Sequence, residues 1–240
     1  MKKKIPDEKL DKVCKLLKDD KSIKFFKKLI KFKKTFDMKY YPYPNSTYDE
    51  QYFPNDIPII PKSDELRFID CGAFTGDTIE ILSKKVNKKT TVIAFEPDPN
   101  NFKILQKNIK NYSNIDIIAI PMGVYSETKI MKFLSNNRTS SRITEKGDIF
   151  VPVTSLDETI YNFKPNYIKM DIEGSEKEAI IGAKNIIKDF TPNLAIAIYH
   201  RPEDLWEIPL LIYKLNPNYD FYIRAHAHLG GETILYCIGR

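Results

Sequence analysis

The feature that most constrains this chain is an alternation: from residue 62 onward, short runs of β-branched and apolar residues take turns with stretches of helical periodicity. The runs fall at 67–71, 91–95, 115–121, 167–170 and 194–199, and the helical stretches at 78–86, 100–108, 176–188 and 202–215. Strands joined through helices lie parallel, because a parallel connection needs a crossover of about a dozen residues, and the helices then cover both faces of the sheet. Two final runs, 221–225 and 233–238, are separated by a short loop with Gly230 and Gly231, which predicts an antiparallel hairpin. The expected class is α/β, a doubly wound sheet that ends in a hairpin.

Other segments fall outside the alternation. Residues 7–36 place Leu10, Val13, Cys14 and Leu17, then Ile23, Phe26, Leu29 and Ile30, at helical spacing, and residues 19–22 divide them into two helices. Residues 40–61 hold five prolines and many aromatics without periodicity, an irregular linker lying against the rest. The expected organisation is a helical extension and linker over 1–61 and one domain over 62–240, a length that suits one large core. Residues 129–134 and 149–153 predict two inserted strands around a polar loop at 135–141.

Charge is distributed unevenly. Residues 1–39 contain fifteen lysines and six acids, whereas the whole chain has a formal net charge of +6, so the remainder is acidic. The basic surplus therefore lies outside the predicted pocket, which argues against a nucleic-acid substrate. Asp7, Glu8, Asp11, Asp19 and Asp20 interrupt the basic face. They favour docking of Phe25, Phe26, Leu29 and Ile30 onto the body or a second subunit, as in a homodimer, over an anionic membrane surface. No apolar run approaches the roughly 20 residues of a membrane span, no signal-peptide core follows the lysines, and Cys14, Cys71 and Cys237 have no paired spacing. A cytoplasmic protein is expected.

The strand ends carry the chemistry. Residues 68–78 form a strand that ends in Asp70 and a turn with Gly72 and Gly76, glycines that let the backbone approach a ligand closely. Phe74 stands where a second glycine would admit a pyrophosphate, so the turn suits a cofactor without a diphosphate. Glu96 follows the next strand, at the separation where nucleotide-binding α/β folds place an acid for a ribose diol. Asp171 and Glu173 follow another strand and suit a base, a substrate-orienting group or a metal ligand, with helix capping as the plain alternative. His200, His226 and His228 also fall after predicted strands, which points all three toward one ligand-binding edge.

The series Tyr48, Gln51-Tyr52-Phe53, 68–78, Phe95-Glu96-Pro97, Ser155-Leu156-Asp157, 169–174 and 232–236 resembles the FkbM-type methyltransferase family over roughly residues 48–238. The resemblance implies a class I, Rossmann-like methyltransferase that uses S-adenosylmethionine to O-methylate a sugar or sugar nucleotide in surface-glycan or natural-product biosynthesis. Its alternatives are a non-sugar acceptor and an inactive cofactor-binding module. On that reading Asp70, Gly72, Thr75, Gly76 and Asp77 surround the amino-acid portion of the cofactor and Glu96 its ribose. Asn137, Ser140 and Ser141 complete the pocket from the inserted loop. Asp171, Glu173 and His200 are the catalytic candidates, and Asp171, His200 and His226, or His228 in its place, would form a divalent-metal site. Many relatives carry an acid where this chain has His200, which leaves open whether the edge uses a base or a metal.

Overall fold

The computed structural model describes residues 6–135, 142–144 and 146–240. The chain opens with α1 (Asp7–Leu16) and α2 (Asp20–Thr35). The alternation runs through β1 (Glu65–Cys71), α3 (Asp77–Lys85), β2 (Lys89–Phe95), α4 (Pro99–Asn108) and β3 (Asp116–Ile120). The strands β4 (Gly123–Val124), β5 (Lys129–Leu134), β6 (Arg142–Ile143) and β7 (Ile149–Thr154) come before α5 (Leu156–Thr159) and β8 (Tyr167–Met170). Then follow α6 (Glu176–Ile181), α7 (Lys184–Phe190), β9 (Asn193–Ala197), α8 (Asp204–Leu215), β10 (Tyr219–Ala225) and β11 (Thr233–Gly239). The chain divides into two compact units, Ile60–Asn193 and a discontinuous one made of Met1–Ile59 with Leu194–Arg240.

In the unit Ile60–Asn193 the strand order is β8-β1-β2-β3, and β1 pairs in parallel with both neighbours. Strands covered on both faces must be apolar throughout, and Val92 to Phe95 and all four residues of β8 are buried. The register sets Asp70 beside both Ala94 and Lys169, so two charged side chains enter this interior together. The inserted strands form a second sheet, β4-β7-β5-β6, with its own small core of Phe133, Val151 and Val153. The expected helix over 176–188 is broken into α6 and α7. Gly182 lies at the break, where a Cβ would come within 2.1 Å of the Tyr125 carbonyl oxygen, and its own carbonyl accepts the Asp157 N–H at 2.8 Å. Periodicity continues across 176–188, but this close approach of another backbone ends the first helix.

In the other unit β11 pairs antiparallel with both β9 and β10. Helix α2 starts where the Asp19 carboxylate accepts the Ser22 N–H at 2.7 Å, an N-cap, and buries Phe25, Phe26, Leu29, Ile30 and Phe32. At about 1.5–3 kcal/mol for each large side chain, this face is a major stabiliser of the unit. It lies against β10: Ser22 Oγ accepts the Ile223 N–H at 2.8 Å and an Arg224 guanidinium N–H at 2.9 Å. Arg224 is 1% exposed and pairs with Asp19 at 2.6 Å and Asp56 at 3.0 Å. The amphipathic helices are thus docked, as their interrupted basic face suggested. Among the described residues no helix is long and apolar enough to cross a membrane.

Candidate active site

The end of β1 and the end of β8 are joined through backbone. The Asp171 N–H donates to the Cys71 carbonyl at 3.1 Å, and a Cβ on Gly72, whose φ is 82°, would lie 2.0 Å from the Asp171 carbonyl oxygen. Only glycine fits there, both for space and for conformation. Lys169 holds the same turn: 3% exposed, it donates to the Gly72 carbonyl at 2.7 Å and lies 3.0 Å from Asp70 Oδ1. Burial pushes the Asp70 carboxyl upward, with Lys169 opposing. Burial also works against the Lys169 ammonium, but Asp70, Asp171 and Asp77 more than offset it, so the amine is held protonated. We therefore treat the two as an ion pair, whose components stay in the interior because each compensates the other.

Glu96 closes the turn from the next strand. Its Oε2 accepts the Phe74 N–H at 2.8 Å and its Oε1 the Asp98 N–H at 2.8 Å, and Phe74 itself has φ 49°. A carboxylate oxygen can accept two hydrogen bonds, so each retains capacity for a ligand hydroxyl. Burial raises the Glu96 carboxyl to about 7, against the opposing backbone hydrogen bonds from Asp98 and Phe74. The turn ends at Gly76, φ 93°, and Asp77 opens α3 in solvent, while the Thr75 carbonyl is held by Asn108 Nδ2 at 2.8 Å.

The structure thus brings Asp70, Gly72, Glu96 and Asp171 to one turn region, with Thr75, Gly76 and Asp77 on the same loop. Asn137, Ser140 and Ser141 lie outside the described residues. Glu173 sits at φ 56° in the turn after β8. Glu176, the first residue of α6, fastens the turn ahead of its helix: its Oε1 accepts the Ile172 N–H at 2.9 Å and the Gly174 N–H at 3.4 Å.

His200 belongs to the other unit, just past β9, half-buried and tilted against Tyr199 with ring centroids 4.2 Å apart. His226 is occupied within that unit: Nδ1 meets the Thr47 carbonyl at 2.6 Å and Nε2 the Tyr236 hydroxyl at 2.8 Å. With both ring nitrogens engaged, His226 drops out of the expected metal set. His228 packs beside Tyr41 and Tyr43. The expectation that three histidines serve one edge is thereby corrected for these two, which belong to the aromatic segment 41–47.

Sequence reasoning missed Lys169, Asp98 and Glu176. A lysine inside the apolar run Tyr167–Met170 was a signal, since it needs a buried counter-charge. Asp98 directly before Pro99 was another. It caps α4 by accepting the Asn100 and Asn101 N–H groups, and its other oxygen accepts the Ser135 hydroxyl at 2.6 Å, tying the inserted sheet to the turn after β2.

The methyltransferase FkbM domain matches residues 70–228, about two thirds of the chain. This chain belongs to the FkbM methyltransferase family. Two curated relatives are the hexuronic acid methyltransferase AglP of Haloferax volcanii, 29% identical over 64% of this chain and 68% of the relative, and Methyltransferase 1 of Beauveria bassiana, 22% identical over 70% and 81%. The crystal structure of an FkbM methyltransferase from Methylobacillus flagellatus is similar with a TM-score of 0.79 and 28% identity over 96% of this chain. This FkbM-family chain spans 58% of the length of that one. The fold is the α/β arrangement of class I methyltransferases, as the strand alternation and terminal hairpin implied.

Proposed function

We propose that this protein is a cytoplasmic enzyme that transfers a methyl group from S-adenosylmethionine to a hydroxyl of a sugar or sugar nucleotide, in the making of a surface glycan or natural product. The observation that carries the cofactor reading is Glu96, a buried carboxyl that caps the β1 turn through the Phe74 N–H and keeps acceptor capacity on both oxygens. Family membership supports methyl transfer, and the hexuronic acid methyltransferase relative supports a sugar acceptor.

The residues fit such a cofactor. The turn is built on two left-handed glycines, and its acid follows β2 as a ribose-binding acid would. When bound, S-adenosylmethionine supplies an electrophilic methyl group on sulfur. Glu96 accepts hydrogen bonds from both ribose hydroxyls. Asp70 and Lys169 hold the turn, along which Gly72, Thr75, Gly76 and Asp77 line the amino-acid portion. Asp171, anchored through its own N–H to β1, takes the proton that leaves the acceptor hydroxyl as its oxygen is methylated, with Glu173 and His200 as the other candidate bases.

The test is incubation with S-adenosylmethionine and a panel of nucleotide sugars, followed by mass detection of a gain of about 14 Da per methyl group, the replacement of H by CH3. Methylation of a sugar hydroxyl is expected. Cofactor binding with no product from any sugar acceptor would move the protein to a non-sugar acceptor or a binding module.

A further inference from the structure

The exposed side of α2 and the loop beyond it have a chemistry that methyl transfer leaves unused. Lys24, Lys27, Lys31 and Lys34 recur at spacings of three and four, a stripe opposite the buried Phe25, Phe26, Leu29 and Ile30; Asp20 lies 4.0 Å from Lys24 and Asp7 pairs with Lys34, so the acids that interrupt the basic face sit at the ends of the stripe and Lys27 and Lys31 at its middle. The helix ends at Phe36, a non-glycine residue at φ 55° whose side chain is 66% exposed. Met38 is 67% and Tyr43 63% exposed. Lysines of α2 meet aromatics of the loop, Lys31 Nζ lying 4.2 Å from the centre of the Tyr40 ring and Lys28 Nζ 5.5 Å from that of Tyr43.

Phe36 meets Phe32 edge-on, with ring centroids 6.1 Å apart, yet leaves 66% of itself exposed on a left-handed backbone, so most of an apolar ring faces outward beside the lysines of α2. Residues 20–43 carry eight lysines and two acids, so two copies meeting here would bring like charges together. No arginine precedes Arg67, and lysines without the planar guanidinium fork suit a diffuse field of acidic headgroups better than the fixed phosphates of a nucleic acid.

We propose that this patch seats the protein on an anionic membrane surface, Phe36 and Met38 entering the boundary between headgroups and acyl chains while the α2 lysines lie over acidic headgroups. The proposal is independent of the methyl-transfer reading, because nothing in it depends on the β1 turn.

The experiment is vesicle flotation of the full chain with phosphatidylglycerol mixed into phosphatidylcholine, and with phosphatidylcholine alone. Binding to the mixed vesicles only is expected, weakening as salt is raised. The pair Phe36→Asn, which keeps a residue suited to φ 55° and loses only the edge contact with Phe32, and Met38→Ser should shift the melting temperature little and lower partitioning about tenfold, and Lys27→Glu with Lys31→Glu should do the same. Absence of binding to the mixed vesicles, equal binding to neutral ones, or binding untouched by either pair of substitutions would overturn the proposal. A dimer that the Phe36/Met38 variant dissociates in ultracentrifugation, with vesicles ignored, would assign the patch to a second copy and overturn it as well.

Discussion

The Glu96 carboxylate accepts the backbone N–H of Phe74, 22 residues earlier in sequence, at 2.8 Å. One side chain thus fixes the turn after β1 from the end of β2, and its burial raises its pKa to about 7.

Cofactor affinity should therefore depend on pH. Ribose hydroxyls donate best to an ionised carboxylate, so binding below pH 7 must first release the Glu96 proton, and affinity falls by up to about tenfold per pH unit there. Calorimetry of S-adenosylmethionine binding from about pH 5.5 to about pH 8.5, which brackets the raised value, should show this slope. Glu96→Gln should flatten it and weaken binding by about 1–3 kcal/mol at pH 8. A slope that survives Glu96→Gln would assign it to another group. The same raised pKa makes the apo fold lose stability as pH climbs from 4.5, the ordinary glutamate value, toward 7, because the ionised form is the one burial penalises.

Gly72→Ala should destabilise strongly. Its Cβ would sit 2.0 Å from the Asp171 carbonyl oxygen and would have to adopt a φ near 82°. We expect a loss of about 3 kcal/mol or more, read as a melting temperature lower by several degrees. Gly231→Ala, whose Cβ would meet nothing nearer than 3.2 Å and whose φ is −64°, serves as the mild control.

Asp19→Ala removes both the α2 cap and a partner of buried Arg224. The expected cost is about 2–4 kcal/mol, against a negligible change for Lys12→Ala, whose pairing with Glu8 is exposed. Burial would raise the Asp19 carboxyl, but hydrogen bonds from Arg224 and Ser22 outweigh it and hold the carboxyl below its ordinary 3.8. Asp56 is likewise held low by Lys21 and Arg224 against burial. Their contribution is complete above that pH and fades as pH falls through the lowered values. Acid titration followed by circular dichroism should show a transition that Asp19→Ala makes shallower.

Asp171→Asn and His200→Ala should each cut kcat by a factor of roughly a hundred or more while the dissociation constant for S-adenosylmethionine changes little. Near-normal turnover in both variants would remove the two from the proposed chemistry.

The elements most legible in the sequence were those with a local cause. The runs 67–71 and 91–95 became β1 and β2 because a strand buried on both faces must be apolar, and residues 19–22 divide two helices because Asp19 there satisfies a free N–H at the start of α2. The turn glycines were legible for the same reason, since few other residues accept left-handed backbone. What sequence concealed was set at a distance. The break at Gly182 comes from the Tyr125 carbonyl, and the capture of His226 by Thr47 and Tyr236 joins residues up to 179 positions apart. Gln51, Glu232 and Tyr236 were visible as motif residues, yet only the fold reveals that Gln51 donates to Glu232 at 2.6 Å and that Tyr236 donates to the Gln51 carbonyl at 2.6 Å.

The discontinuous unit has a consequence for the order of events on the ribosome. The Ser22 hydroxyl waits for the Ile223 N–H, 201 residues later, so α2 is synthesised long before the strand that covers its apolar face exists. The unit Ile60–Asn193 is contiguous, so all of its strands have been made before β10 is. During that interval Phe25, Phe26, Leu29 and Ile30 have no native neighbour in β10, and the like charge of the lysines around them opposes self-association of the nascent segment.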